Sequence, residues 1–252
     1  MRPTEKPFTL TAQKVSCGRC CLRELCAPVE VTPEQEELLH ALVRQQHLNI
    51  RRGEHLYHAG MPFHSLFAIH TGSFKTYMLA DNGRERVEGF YLSGDMLGMD
   101  GISGDTYTLS AMALEDTGVC VLPFQRLEEI TRELPLQRQF HRMMSREINR
   151  DKGIMMMLGQ MTADERLAVF LLNLSQRYEA RGFSATEFTL KMSRQDIANY
   201  LGLKAETVSR LLSRFQDDGL LTISGKSVRL ADLNQLRGVL GFGDGIYFDQ
   251  LP

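Results

Sequence analysis

The chain has 252 residues, 43% hydrophobic and 24% charged, with a formal charge of −2. That usage builds one large or two ordinary folded domains and excludes a low-complexity or disordered protein. The charge excludes a generally basic nucleic-acid binder, so a surface for nucleic acid has to be local. No apolar run approaches the roughly 18 residues of a membrane span. Met1–Ser16 is polar and lacks the apolar stretch of a secretory signal. The expectation is a cytoplasmic protein with no membrane partner.

Residues 1–30 form a cysteine-rich, irregular segment carrying Cys17, Cys20, Cys21 and Cys26. In a reducing compartment, clustered cysteines point to metal or redox chemistry rather than disulfides. Cys17, Cys20 and Cys26 are spaced so that neighbouring thiolates reach one metal centre. The fourth candidate is Cys120, in Val119-Cys120-Val121-Leu122, where strand alternation sets it on the face opposite the two valines. Four thiolates suit zinc or an iron–sulfur cluster, and softness does not separate the two. Plain reactive thiols are a third reading, and Cys21 is either a substitute ligand or a bystander.

A sensor domain is expected over residues 31–134. It opens with a short helix after Pro33, capped by Thr32 and with Leu38, Leu39, Leu42 and Val43 on its apolar face. From His47 to Pro123, glycines punctuate alternating runs such as Ser73–Met78 and Arg86–Tyr91, which reads as a roll of short strands. Asp81-Asn82-Gly83 is a hairpin turn, since Asn and Gly tolerate positive φ. Residues 135–161 read as one long helix. Met144, Ile148, Met155 and Leu158 lie on a seam whose missing member is Asp151. A heptad-like apolar seam pairs helices between chains, or packs the helix on its own domain.

Residues 162–240 begin with a capping box, Thr162 to Glu165, opening a helix with Leu167, Phe170, Leu171 and Leu174 on its apolar face and Gly182 at its end. A strand is expected within Glu187–Met192. Residues 193–216 then form two helices joined at Gly202. Ser193 caps the first; Val208, Leu211, Leu212 and Phe215 bury the second, which presents Glu206, Thr207, Ser209, Arg210 and Arg214. This is a helix-turn-helix, whose second helix enters the major groove by its N-terminal half. Leu220–Leu230 reads strand, turn, strand, a wing that brings Lys226 and Arg229 near phosphates. Between Lys191 and Arg229 seven basic residues face four acidic ones, a local excess in an acidic chain. A helical hairpin in an unrelated enzyme is the competing reading, but no acid–base pair, phosphate loop or nucleophile motif supports an enzyme. The scattered histidines, including His55, His58 and His64, and the runs Met143-Met144 and Met155–Met157 suit surface, strand and helix packing. The tail, residues 241–252, has no assigned role.

Together these parts resemble the fumarate and nitrate reduction regulators (FNR), a branch of the cyclic AMP receptor protein superfamily. The resemblance spans Cys17 to Val239. It is carried by the cysteine set, Gly94–Gly98, Ala113–Glu115, Val119–Phe124, Asp164–Ala168, Asn199–Leu203 and Glu206–Leu212. It implies an α+β chain: an N-terminal β-roll of the cyclic-nucleotide-binding type, a dimerisation helix and a C-terminal winged helix-turn-helix. It also implies a [4Fe–4S] cluster on Cys17, Cys20, Cys26 and Cys120, degraded by oxygen with loss of the homodimer. Base contacts would come from Glu206, Ser209 and Arg210 to a TTGAT-N4-ATCAA-like palindrome. RNA polymerase would touch β-roll loops around Thr71–Ser73 and Asn82–Arg84. Cys21 and the tail depart from the family pattern. A cyclic-nucleotide site needs an Arg-Ser pair on the phosphate. The corresponding stretch, Thr106–Met112, has Ser110 and no arginine, so no cyclic nucleotide is expected. For the dimer, two Asp151 carboxylates about 4 Å apart at an effective dielectric near 20 repel by roughly 4 kcal/mol, enough to make the pairing marginal.

Overall fold

The structure, a computed structural model, describes residues 47–80, 83–130 and 134–240. The segment holding Cys17, Cys20, Cys21 and Cys26, the short helix expected after Pro33, the Asp81-Asn82 half of the hairpin turn and the tail lie outside the described residues. Contacts divide the chain into two compact units. The second comprises the chain from Arg142 onward together with Glu85–Val87.

The first unit is built of β1 (His47–Ile50), β2 (His55–Tyr57), β3 (Ser65–Thr71), β4 (Ser73–Leu79), β5 (Glu85–Leu92, from Glu88 onward), β6 (Met96–Leu97), β7 (Ser110–Ala113) and β8 (Thr117–Pro123), followed by the helix α1 (Phe124–Ile130). One sheet has the order β1-β8-β3-β6 and the other β2-β7-β4-β5. Side chains from both sheets meet in the core: Tyr57 of β2 stacks on Phe67 of β3 and, at 4.0 Å between centroids, on Tyr107. Leu66, Ile69, Phe74, Leu97, Ala111 and Val119 are sealed from solvent, each large one worth about 1.5–3 kcal/mol of burial. The alternation expected in Ser73–Met78 is not what β4 shows. Ser73 to Tyr77 are all buried, because the strand is covered on both faces. Ser73 therefore does not belong to an exposed loop; its hydroxyl donates to Glu115 at 2.7 Å. Thr71 beside it is exposed.

The long helix expected over Pro135–Met161 runs from Leu134 to Gln160 (α2). In the second unit, α3 (Ala163–Glu179) starts at the Thr162–Glu165 capping box, with both reciprocal hydrogen bonds formed. It buries Leu167, Phe170, Leu171 and Leu174 as its spacing predicts, and Gly182 takes up φ 77° just beyond it. Then follow β9 (Glu187–Thr189), α4 (Arg194–Leu201), α5 (Ala205–Asp217), β10 (Leu221–Ser224), β11 (Ser227–Leu230) and α6 (Leu233–Gly238). The strands form a sheet of order β10-β11-β9. α6 packs on α3 through the fully buried Leu236.

Candidate nucleic-acid interface

The turn between α4 and α5 is fixed locally. Ser193 and Asp196 cap α4 reciprocally, and Gly202 ends it at φ 64°, a left-handed conformation that a β-carbon disfavours. Val208, Leu211, Leu212 and Phe215 of α5 are buried, which leaves Glu206, Ser209 and Arg210 exposed on the opposite face. The side chains of Glu206 and Arg210 make no ion pair or hydrogen bond among the described residues. The Ser209 hydroxyl donates to the Ala205 carbonyl at 3.0 Å, which leaves it able to accept from a base edge. Arg214, expected on the same face, is instead turned back into an ion pair with Asp164 of α3. The chain holds that guanidinium itself, so Arg214 is not a free presenting residue.

Two cations that the spacing did not single out lie at helix starts. Lys204 is the N-cap of α5 and gives no side-chain hydrogen bond to the first turn, so the first N–H groups keep their capacity for an anion. Arg194 opens α4; its Nη1 is buried without a partner, and burial lowers the guanidinium pKa from its ordinary value. Neither carries a sequence signal beyond its charge.

The wing is formed as expected. β10 and β11 pair from Leu221↔Leu230 to Ser224↔Ser227, closing at Gly225, and the backbone N–H of Ile223 donates to Gln216 Oε1 of α5 at 3.0 Å. Lys226 is exposed at the tip, its ammonium 3.4 Å from the Lys191 carbonyl. Arg229 pairs with Glu187 at 3.2 Å, both exposed.

Arg166 ties this unit together. Its Nε donates to Met161 O, Nη2 to Leu158 O and Nη1 to Leu201 O, at 2.9, 2.9 and 3.0 Å. These carbonyls sit at the C-terminal ends of α2 and α4, where no intrahelical donor remains.

On the long helix, Ile148 and Met155 are 51% and 74% exposed, Asp151 is exposed, and Met144 and Leu158 are half-buried. Of the methionine run, Met157 rather than Met155 is packed inward. The β-roll places Cys120 in β8 as a buried thiol. It sits opposite His47 of β1 in the strand register, with Sγ 3.4 Å from His47 Nδ1. Burial first, and His70 second, lower the His47 pKa. Among the described residues no group of three or more His, Cys, Asp or Glu could hold a metal. Any cluster therefore depends on the first three cysteines. A thiol suits an iron–sulfur cluster, and His47, the first described residue, lies opposite Cys120 in the strand register.

The class is thus a winged helix-turn-helix DNA-binding regulator joined to a β-roll of the cyclic-nucleotide-binding type. Residues 47–133 match the cyclic nucleotide-binding domain family and residues 165–239 the Crp-like helix-turn-helix domain family. The chain is 46% identical to the transcriptional activator protein anr of Pseudomonas aeruginosa, covering 89% of this chain and 92% of that one. It is 39% identical to the fumarate and nitrate reduction regulatory protein of Vibrio cholerae, covering 94% and 97%. The solved structure of FixK2 from Bradyrhizobium japonicum superposes with a TM-score of 0.73 at 32% identity, covering 79% and 98%. The chain belongs to the FNR branch of the cyclic AMP receptor protein superfamily, and it is a transcription regulator rather than an enzyme. No helix among the described residues is long and apolar enough to cross a membrane.

Proposed function

We propose that this chain is a cytoplasmic, oxygen-responsive activator of anaerobic genes that works as a homodimer carrying a [4Fe–4S] cluster on Cys17, Cys20, Cys26 and Cys120. The observation that carries the DNA half is the exposed, unpartnered pair Glu206 and Arg210 flanking Ser209 on the N-terminal half of α5. Arg donates twice to guanine, Glu accepts from cytosine and Ser serves either, which suits a TTGAT-N4-ATCAA-like palindrome. The exposed Lys204 and Lys226 are read as phosphate contacts that set the register. The sensor half rests on the buried thiol of Cys120, opposite His47, the first described residue, in the strand register. The cluster, when bound, supplies an oxygen-labile link between that segment and the roll. The chain's own part is to provide thiolates and to exclude water around Cys120. RNA polymerase is assigned to exposed loop residues, Thr71 and Gly83–Arg84, without the buried Ser73.

The test is iron and acid-labile sulfide per chain, under nitrogen and after air, with sedimentation of the same samples. About four of each per chain, lost in air together with the dimer, is the expected result. Zinc, or no metal in either sample, would sink the cluster assignment and leave the DNA-binding unit standing. A second measurement addresses readout. Arg210→Ala is expected to cost about 1–3 kcal/mol of discrimination at one base pair of the half-site. A uniform loss over all operator variants would make Arg210 a phosphate contact instead.

A further inference from the structure

The loop over residues 106–110 is held by the chain's own Asp100. A 3-10 turn over Met99–Gly101 carries Asp100 back towards residues 106–110. It starts at Gly98, with φ 94°, and Gly101 lies against the Phe63 ring, where a β-carbon would stand 2.5 Å from a ring atom. The backbone is thus shaped to aim the Asp100 carboxylate at the loop. Its Oδ2 accepts from the backbone N–H of Thr108 at 2.8 Å, the backbone N–H of Leu109 at 2.9 Å and the Thr108 hydroxyl at 3.2 Å. The Tyr57 hydroxyl stands 3.5 Å from Oδ1. Two successive N–H groups and a hydroxyl converging on one oxygen make a concave anion cradle. The partners are eight and nine residues away in sequence, so this is no local turn of an aspartate on its own backbone. Ser110, the surviving member of the phosphate-binding pair, is committed as well: its Oγ accepts from the Ala59 N–H at 3.1 Å.

We propose that residues 108–109 form an oxyanion site whose resident ligand is the Asp100 carboxylate, so that the β-roll is permanently self-liganded and takes no free anionic effector. Removing the carboxylate would open the cradle to small carboxylates and, where space allows, to phosphate. Both Asp100 and Thr108 reach the surface of the roll, so an ion from solvent has access to the vacated position. The cradle does not depend on the proposed cluster.

The experiment is thermal unfolding of the full chain, wild type and Asp100→Ala, in sodium formate, sodium phosphate and sodium chloride at matched ionic strength. Asp100→Ala is expected to lower the transition of the β-roll by about 5 °C. Formate should restore it saturably, chloride should not, and wild type should show no formate-specific shift. Recovery by phosphate as well as formate would assign the cradle to oxyanions in general; recovery by formate alone would confine it to carboxylates. An unchanged transition in Asp100→Ala, equal recovery by chloride, or the same formate shift in wild type would overturn the proposal. If Asp100→Ala does not accumulate as folded protein, Asp100→Asn serves. It still fills the cradle but as a neutral acceptor, so it should lower the transition and ignore formate. No lowering, or recovery by formate, would equally overturn it.

Discussion

Arg166→Ala is expected to cost the DNA-binding unit about 3–5 kcal/mol, read as a lower denaturant midpoint with an unchanged slope. The guanidinium donates to Met161 O, Leu158 O and Leu201 O, three carbonyls from the last turns of α2 and α4. A cation at a helix C-terminus is favoured by the helix dipole and by hydrogen bonds to carbonyls that lack intrahelical donors. Here one planar fork serves two such ends at once. Removing it leaves three carbonyls to find water, each charged hydrogen bond being worth about 1.5–3 kcal/mol before partial replacement. Arg166→Lys is expected to recover less than half, because a single ammonium cannot hold the three-way geometry of the fork. A loss below about 1 kcal/mol for Arg166→Ala would show that solvent replaces the bonds and that apolar packing alone holds the unit. Gly202 follows Leu201 directly, so operator binding should weaken even at temperatures where the variant remains folded.

The parts of the fold that the sequence made legible are those specified by local chemistry. The capping box at Thr162/Glu165, the N-cap at Ser193 and the positive-φ glycine at 202 depend on residues within one turn of one another, and all appear as expected, Asp196 in addition closing the Ser193 cap reciprocally. The buried face of α5 follows from spacing alone because a solvent-exposed helix must hide one stripe. What the sequence hid is tertiary. β4 reads as alternating, yet its polar Ser73, Lys75 and Thr76 are buried because both faces are covered. The helices α1 and α6 span seven and six residues, too few for an apolar period to stand out. Arg214 has the charge and spacing of a DNA contact and is withdrawn by Asp164, a residue of another helix. The apposition of Cys120 with His47 is set by strand register, and the union of Asp100 with Thr108 by a loop crossing; neither leaves a trace in local pattern. The cysteine spacing was the reverse case, plain in the sequence while Cys17, Cys20 and Cys26 lie outside the described residues.

Asp151→Ala is expected to tighten self-association of the cluster-free protein by about a thousandfold, turning a monomer into a dimer at micromolar concentration in sedimentation. The seam on α2 leaves Ile148 and Met155 largely exposed and Met144 and Leu158 half-covered. Apolar side chains left open at helical-repeat spacing are what a second copy of the same helix would cover. Asp151 interrupts that stripe. On a seam paired across a twofold axis it would face its own copy, and two carboxylates about 4 Å apart at an effective dielectric near 20 repel by roughly 4 kcal/mol, which is about three decades in dissociation constant. Screening gives an independent check. Raising the salt should strengthen association of the wild-type apo protein more than that of Asp151→Ala, because only the former has the Asp151 pair to screen. If apo Asp151→Ala sediments as a monomer throughout, the residue lies off the seam and the charge argument is wrong. If it dimerises, the apolar stripe suffices for pairing, and the cluster's role under the proposed function reduces to shifting α2 enough to relieve one repulsive contact.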